Sequence, residues 1–461
     1  MTGPEPIDCG FVADLLPEGR VEFAESIREQ YSSDASVHPP TVPDAVVWPA
    51  TADEVSAVLS AANDRGVPVT PWSGGSSLEG NPIPVAGGIV LTMAELTGID
   101  VDAENLQVTV GPGVVYDDLN DALGRYGLRF PPGISSGDVA TIGGMIANNA
   151  SGFNAVRYGE TRDHVRRLEV VLPDGRIIEC GRNVVKTSAG YSLKDLLVGS
   201  EGTLGVVTEA TLSLTGIPER KHAAIVTFPT ETDACRAVAE TIQFGLRPGA
   251  IEYIDAESIG YVNAYSGLEL AEAPTLVVEL HGNNDGIEDD VAFVRSVCED
   301  NGAETWRDEG RDGIEEIWQA RRDIYFAYLA HREAWTVAAD GDVVVPISRY
   351  PDIVETVQTV ADRYDVPIPC CGHAGDGNLH YSPLIDTDDE DAVRRVERAN
   401  REIIEAAIEM GGTSTGEHGI GLGKTEFLEL EHDGAVAVMR TIKDAIDPNG
   451  IMNPGKIFPE S

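Results

Sequence analysis

The sequence predicts an α+β protein of two domains, on three observations. From Val46 to about Leu214, short β-rich runs alternate with helices that carry apolar residues on one face. Around Gly216-Ile217-Pro218-Glu219-Arg220-Lys221 that pattern pauses, and from His222 to about Leu430 strands return among longer helices. A length of 461 residues agrees with two or three domains at about 150 residues each. The boundaries read as 1–218 for the first domain, 219–430 for the second, and 431–461 as a tail returning to the first.

Asp53 to Arg65 reads as a helix because Val55, Val58, Leu59 and Ala62 share one face, and Asp118 to Tyr126 repeats this with Leu119, Ala122, Leu123 and Tyr126. Gly88 to Met93 and Gln107 to Val110 read as strands. Leu168 to Leu172 and Arg176 to Cys180 form a hairpin turned by Pro173-Asp174-Gly175. Beyond the pause, strands are expected at Ala223 to Phe228, Thr275 to His281, Val343 to Ser348 and Leu379 to Leu384. A helix near Asp391 to Met410 carries Val393, Val396, Ile403, Ile404, Ala407 and Ile408, and stops at Gly411-Gly412. This second part resembles a ferredoxin-like sandwich around a cavity.

Acidic residues outnumber basic ones 77 to 33, for a net charge of −44, and only six of the basic residues are Lys. Such a surface repels DNA and anionic lipid, so nucleic-acid binding is excluded as a working function. Acids spread along the whole chain point to a salt-rich cytoplasm, where the Debye length falls from about 10 Å at 0.1 M to about 3 Å at 1 M. An ordinary acidic enzyme is the alternative. Neither a secretory leader nor a run of 18 apolar residues occurs, so a cytoplasmic protein without an integral membrane segment is expected. The six Cys form no C-x-x-C pair and read as buried free thiols rather than an iron-sulfur site.

The first domain gathers glycines in three clusters: Trp72 to Gly80, Pro132-Gly133 through Gly143-Gly144 to Gly152, and Gly199 to Gly205. Glycine-rich segments after strands let backbone N–H groups surround an anion such as a diphosphate where Lys and Arg are scarce. One such cluster alone reads as a turn; three in one domain favour the cradle. None matches G-x-G-x-x-G, which disfavours a nicotinamide site. Gly419 to Thr425 ends like a Walker A loop, but His418 stands where that pattern needs Gly.

Three of the nine His lie in Cys370 to His380 and Thr415 to Gly419. The Gly375-Asp376-Gly377-Asn378 centre reads as a tight turn that sets His373 and His380 across a strand pair. With Glu417 as third ligand they form a His-His-Glu set with open positions, suited to zinc or manganese. Two structural histidines are the plainer reading; Glu417 and His418 in a further glycine-rich loop shift the balance toward a site.

Taken in order along nearly the whole chain, these segments resemble the flavin-dependent D-2-hydroxyacid dehydrogenases of the vanillyl-alcohol-oxidase type. The carrying motifs are Pro71 to Gly80, Asn148 to Gly159, Gly199 to Gly205, Trp318 to Arg321, His373 to His380, Gly416 to Gly421 and Met452 to Lys456. The resemblance implies an FAD domain, a cap over the isoalloxazine ring and a C-terminal tail returning to the FAD domain. It implies FAD contacts from Ser73, Gly74, Gly75, Ser76, Ser77 and Gly80, then from Pro132, Gly133, Gly143, Gly144, Ser151 and Gly152. Glu201, Gly202, Gly205, Val206 and Asn453 complete that set. His373, His380 and Glu417 correspond to metal ligands, His418 to the base and Arg321 to the carboxylate clamp, with Arg322 the adjacent candidate. Relatives that take a second carboxylate place Lys where this chain has Asp340, which favours a monocarboxylate such as lactate or glycolate. The FAD loops lack a His for covalent attachment, so noncovalent FAD is expected. Partners implied are a small anionic 2-hydroxyacid and a separate electron acceptor, whether quinone, iron-sulfur protein, cytochrome or oxygen. A homodimer, and a peripheral place at the membrane through the redox partner, are compatible with the same reading. A glycolate or D-2-hydroxyglutarate dehydrogenase is the rival within this class, and a metallohydrolase using His373, His380 and Glu417 without redox chemistry is the rival outside it.

Overall fold

The structure, a computed structural model, describes residues 4–309, 318–332 and 334–459. The chain divides into two compact units. The first comprises Met1–Ser151, Gly159–Ile217 and Glu417–Ser461, and the second Gly152–Tyr158 and Pro218–Gly416. The return to the first unit thus begins at Glu417, earlier than the expected position 431, because Glu201 and Glu79 of the first unit bind the loop that follows Glu417.

In the first unit, strands Ala45–Val47, Ile89–Thr92 and Val69–Trp72 run parallel, with Val21–Glu22 antiparallel at the edge. Helix Ala52–Asn63 makes the crossover between the first of these and Val69–Trp72. Thr51 caps it by accepting from the Glu54 N–H at 3.2 Å, and Val55, Val58, Leu59 and Ala62 are buried as the periodicity requires. Truncating Leu59 to Ala would cost about 2–5 kcal/mol. The chain's end extends this sheet: Val69 donates to the Ile451 carbonyl at 2.7 Å, and Asn453 donates to the Val69 carbonyl at 2.8 Å.

A second, antiparallel sheet orders Ile99–Asp102, Gln107–Val110, Val206–Ser213, Val165–Val171 and Ile177–Gly181. Its last hairpin turns at Pro173-Asp174-Gly175, where Gly175 has φ +84° and its N–H bonds the Leu172 carbonyl at 2.9 Å. Helix Tyr116–Gly124 buries Tyr116, Leu119 and Leu123. Tyr126, expected on that face, is exposed because the helix has already ended.

The second unit is built on a seven-stranded antiparallel sheet. Its order is Thr305–Glu309, Arg220–Thr227, Thr275–Gly282, Ala250–Ile254, Cys370–Gly372, Asn378–Tyr381, Gly341–Val344. Helices Ile287–Asp300, Glu231–Gln243, Tyr350–Tyr364 and Glu390–Glu409 neighbour one another in that sequence. Ile225, Ile254, Val277, Trp318, Ile324 and Tyr328 form a core with the partly buried Phe153. The last long helix buries Ala392, Val396, Ala399, Ile403, Ile404 and Ala407, whereas Val393 and Ile408 are only half-buried. The strands expected at Val343 to Ser348 and Leu379 to Leu384 are shorter. Pro346 ends one, and Pro383 divides the other into Asn378–Tyr381 and Leu384–Asp386, since proline donates no ladder hydrogen bond.

Candidate functional site

Each unit presents part of the expected site. In the first unit, the loop after strand Val69–Trp72 carries a row of open donors. Among the described residues, none of the backbone N–H groups from Gly74 to Leu78 donates a hydrogen bond within the protein. Five successive unpaired N–H groups form a concave anion site of the kind that holds a diphosphate without Lys or Arg. The loop is shaped from both sides. Gly75 has φ +67°, and a side chain there would meet the Trp72 ring at 2.7 Å, while a Cβ on Gly74 would strike the Val139 carbonyl at 2.3 Å. Ser73 bonds Thr141, the cap of helix Ile142–Asn148 that contains Gly143 and Gly144. Gly133 donates to the Tyr116 hydroxyl at 3.0 Å. This arrangement fits a dinucleotide's diphosphate.

Two expected contact residues turn out to serve the protein itself. Glu201, buried and at φ +52°, accepts from the Ile420 N–H at 2.7 Å, the Gly421 N–H at 2.9 Å and Asn81 Nδ2 at 2.6 Å. Burial raises its carboxyl above the usual range, and those donors oppose the rise. Asn453 Nδ2 donates to the carbonyls of Asn81 and Glu201. Glu201, braced by Asn453, therefore holds the loop that follows Glu417 and His418. His418 is held through its carbonyl by Asn148 Nδ2 at 3.2 Å, and Ser151 Oγ lies 3.5 Å from Glu417 Oε2. Lys424, of the Walker-like ending, is buried against Glu79 at 3.0 Å and takes no phosphate role.

In the second unit, the Gly375 to Asn378 turn does set the two histidines together. Strands Cys370–Gly372 and Asn378–Tyr381 pair with Cys371 opposite His380, and the His373 and His380 rings meet edge to face at 5.2 Å. His373 Nδ1 lies 2.7 Å from Glu252 Oε1. The second oxygen of Glu252 accepts from Arg321 Nε at 2.9 Å, with Arg321 and Glu252 both buried. Burial alone would raise the Glu252 carboxyl; His373 and Arg321 outweigh it and hold the group below its ordinary value. Arg321 makes no other hydrogen bond among the described residues, so both Nη groups remain open. The adjacent Arg322 is half-buried and bonds Gln319 at 2.9 Å, so the helical stretch 318–322 turns only one arginine inward. Phe153 stacks beside Trp318 at 5.0 Å and stands 6.5 Å from His373. Gly152 opens the segment that carries it.

Sequence reasoning missed Glu252 and Asp342. The latter is fully buried, 3.8 Å from His380 Nδ1, and accepts from Asn378 Nδ2 at 2.7 Å, Thr415 Oγ1 at 3.0 Å and the Gly416 N–H at 2.8 Å. Glu417 is the next residue in the chain. The signal for both was a carboxylate inside an apolar strand run, Ala250-Ile251-Glu252-Tyr253-Ile254 and Gly341-Asp342-Val343-Val344-Val345. Two imidazoles with a carboxylate as third donor are a set whose chemistry fits zinc or manganese.

All six cysteines are buried free thiols. No helix among the described residues is long and apolar enough to cross a membrane.

Residues 43–181 match an FAD binding domain, and residues 217–457 match the C-terminal domain of FAD linked oxidases. The chain is 40% identical over 447 residues to a probable mitochondrial D-lactate dehydrogenase of Danio rerio, covering 95% of this chain and 89% of the relative. It is 38% identical over 434 residues to glycolate oxidase subunit GlcD of Bacillus subtilis, covering 93% and 92%. Among solved structures, 4-ethylphenol oxidase from Gulosibacter chungangensis superimposes with a TM-score of 0.79 at 18% identity, covering 100% of this chain and 99% of that one.

Proposed function

The chain belongs to the FAD-linked oxidases, and on that premise we propose that it oxidises the C2 alcohol of a D-2-hydroxy monocarboxylate, D-lactate before glycolate, to the 2-oxoacid. The observation that carries this reading is Arg321. Its guanidinium is buried, anchored through Nε alone, and keeps two parallel Nη donors for a carboxylate beside a pair of imidazoles. Asp340 supports a monocarboxylate, since a second substrate carboxylate would meet its charge.

Arg321 pairs with the substrate carboxylate and fixes where C2 lies. His418 accepts the hydroxyl proton, on a loop held by Glu201 and Asn148. His373, His380 and Glu417 would hold the metal, and the Gly74 to Leu78 donors the FAD diphosphate, noncovalently. When bound, FAD supplies the two-electron acceptor and a divalent metal supplies Lewis acidity at the hydroxyl. A separate acceptor, whether quinone, iron-sulfur protein, cytochrome or oxygen, would take up the electrons. The charge of −44 supports a salt-rich cytoplasm as the enzyme's setting.

The test is the visible spectrum of the purified holoprotein before and after anaerobic D-lactate, glycolate and D-2-hydroxyglutarate. Rapid bleaching with D-lactate, slower with glycolate and absent with the dicarboxylate, is expected. A yellow protein that none of the three reduces would overturn the reading.

A further inference from the structure

Glu252 lies at the centre of the second unit's sheet, in strand Ala250–Ile254, whose five residues are all buried. Strands pair with it on both sides, Glu252 standing opposite Val277 and the next residue, Tyr253, opposite Gly372. A carboxylate is costly in such a place, and it persists because both oxygens are engaged, Oε1 with His373 and Oε2 with Arg321. We propose that Glu252 is a positioning residue for two groups at once: it locks His373 with its proton on Nδ1, leaving Nε2 as the ligand nitrogen, and it leaves the Nη pair of Arg321 free to take the substrate carboxylate. This rests on the function proposed above and extends it to a residue that touches neither substrate nor cofactor.

The chemistry of the contacts supports each half. An ionised carboxylate only accepts hydrogen bonds, so at 2.7 Å the His373 Nδ1 must be the donor. A neutral imidazole protonated at Nδ1 presents its lone pair at Nε2, the arrangement that a carboxylate bonded behind a ligating histidine imposes on it. On the other side, an arginine paired only for stability would offer a carboxylate its two-pronged edge. Here Glu252 takes Nε alone, at 2.9 Å, and neither Nη has a partner among the described residues. The sheet fixes the geometry, because Tyr253 and Gly372 are in register and His373 directly follows Gly372. One carboxylate thereby ties the distance between clamp and ligand to the strand spacing rather than to loop conformation.

Glu252→Gln is the discriminating variant, since it keeps the shape but removes the charge and leaves one acceptor oxygen, so that it cannot accept from both His373 Nδ1–H and Arg321 Nε–H, and its NH₂ group favours an unprotonated Nδ1. The holoprotein, labelled with ¹⁵N-histidine and stripped of metal, is read by NMR for the His373 tautomer, with His373→Gln assigning the signal. Zn²⁺ affinity is measured by chelator competition, and pyruvate affinity by perturbation of the oxidised flavin spectrum. Expected are an Nδ1–H tautomer in the wild type that is lost in Glu252→Gln, Zn²⁺ affinity lower by about 10- to 100-fold, and weakened pyruvate binding. Glu252→Asp, which restores the charge, should recover part of each. Retention of the Nδ1–H tautomer together with wild-type pyruvate affinity in Glu252→Gln would overturn the proposal. A wild type that binds no Zn²⁺ but loses both the tautomer and pyruvate affinity in Glu252→Gln would refute the metal assignment and uphold Glu252 as the positioning residue.

Discussion

Replacing Arg321 with Lys isolates the fork from the charge. Arg321 divides its donors, with Nε on Glu252 and the two Nη groups left for substrate. A lysine has one ammonium for both tasks. Because Glu252 is completely enclosed in its strand, the new Nζ is drawn to that buried carboxylate first. The substrate then loses one or both charge-assisted hydrogen bonds, each worth about 1.5–3 kcal/mol, so a loss of about 2–4 kcal/mol is expected. That corresponds to roughly 30- to 700-fold weaker binding. The assay is pyruvate titration of the oxidised holoenzyme, followed by its flavin absorbance, with a thermal melt to establish that the variant is folded. A folded Arg321→Lys protein whose pyruvate Kd stays within a factor of about three of wild type, under 1 kcal/mol, would refute the clamp.

Three further outcomes are expected. His418→Ala should retain FAD yet slow anaerobic flavin reduction by about 10²- to 10⁴-fold, and an unchanged rate in stopped flow would remove the base assignment. Glu279 bonds Lys221 Nζ and Trp318 Nε1, each at 3.0 Å, and pairs with His281; burial opposes ionisation, but His281 and Lys221 prevail and bring its pKa from 4.5 to about 2. With the folded pKa below the unfolded one, its stabilisation is present above pH 4.5 and is lost as pH falls through about 2; it is worth about 3 kcal/mol at neutral pH. Glu279→Gln should therefore be destabilised in urea unfolding at pH 7, with the gap shrinking below pH 4.5 to roughly 1.4 kcal/mol near pH 3 and closing only below about pH 2, whereas a gap independent of pH would contradict this origin. Finally, the melting temperature should rise from 0.1 M to multimolar KCl as screening shortens from about 10 Å to about 3 Å, and a flat series would dismiss the salt adaptation.

Much of the scaffold was legible because its signals are local. The one-face pattern of Val55, Val58, Leu59 and Ala62, the Pro173-Asp174-Gly175 turn, and the turn that sets His373 beside His380 each depend on a few neighbouring residues. What escaped was long-range. Glu252 meets partners 69 and 121 residues away, and Asp342 meets Gly416 across 74, so no spacing rule could connect them. Glu201 was placed with the glycines it neighbours in sequence, yet its carboxylate answers to Ile420 and Gly421, 219 and 220 residues on. The apolar strands did carry a warning, since an acid in such a run needs a partner, but they did not name it.

The pairing of strand Ala250–Ile254 with Cys370–Gly372 joins segments more than a hundred residues apart and closes the middle of the second unit's sheet. Closing so long a loop is entropically costly before any contact rewards it, and non-local strand pairing is the slow part of folding. Glu252 and His373 sit on that seam. Regained pyruvate binding during refolding should consequently lag the recovery of helical signal, making the active enzyme its own reporter for the last strand to be zipped into place.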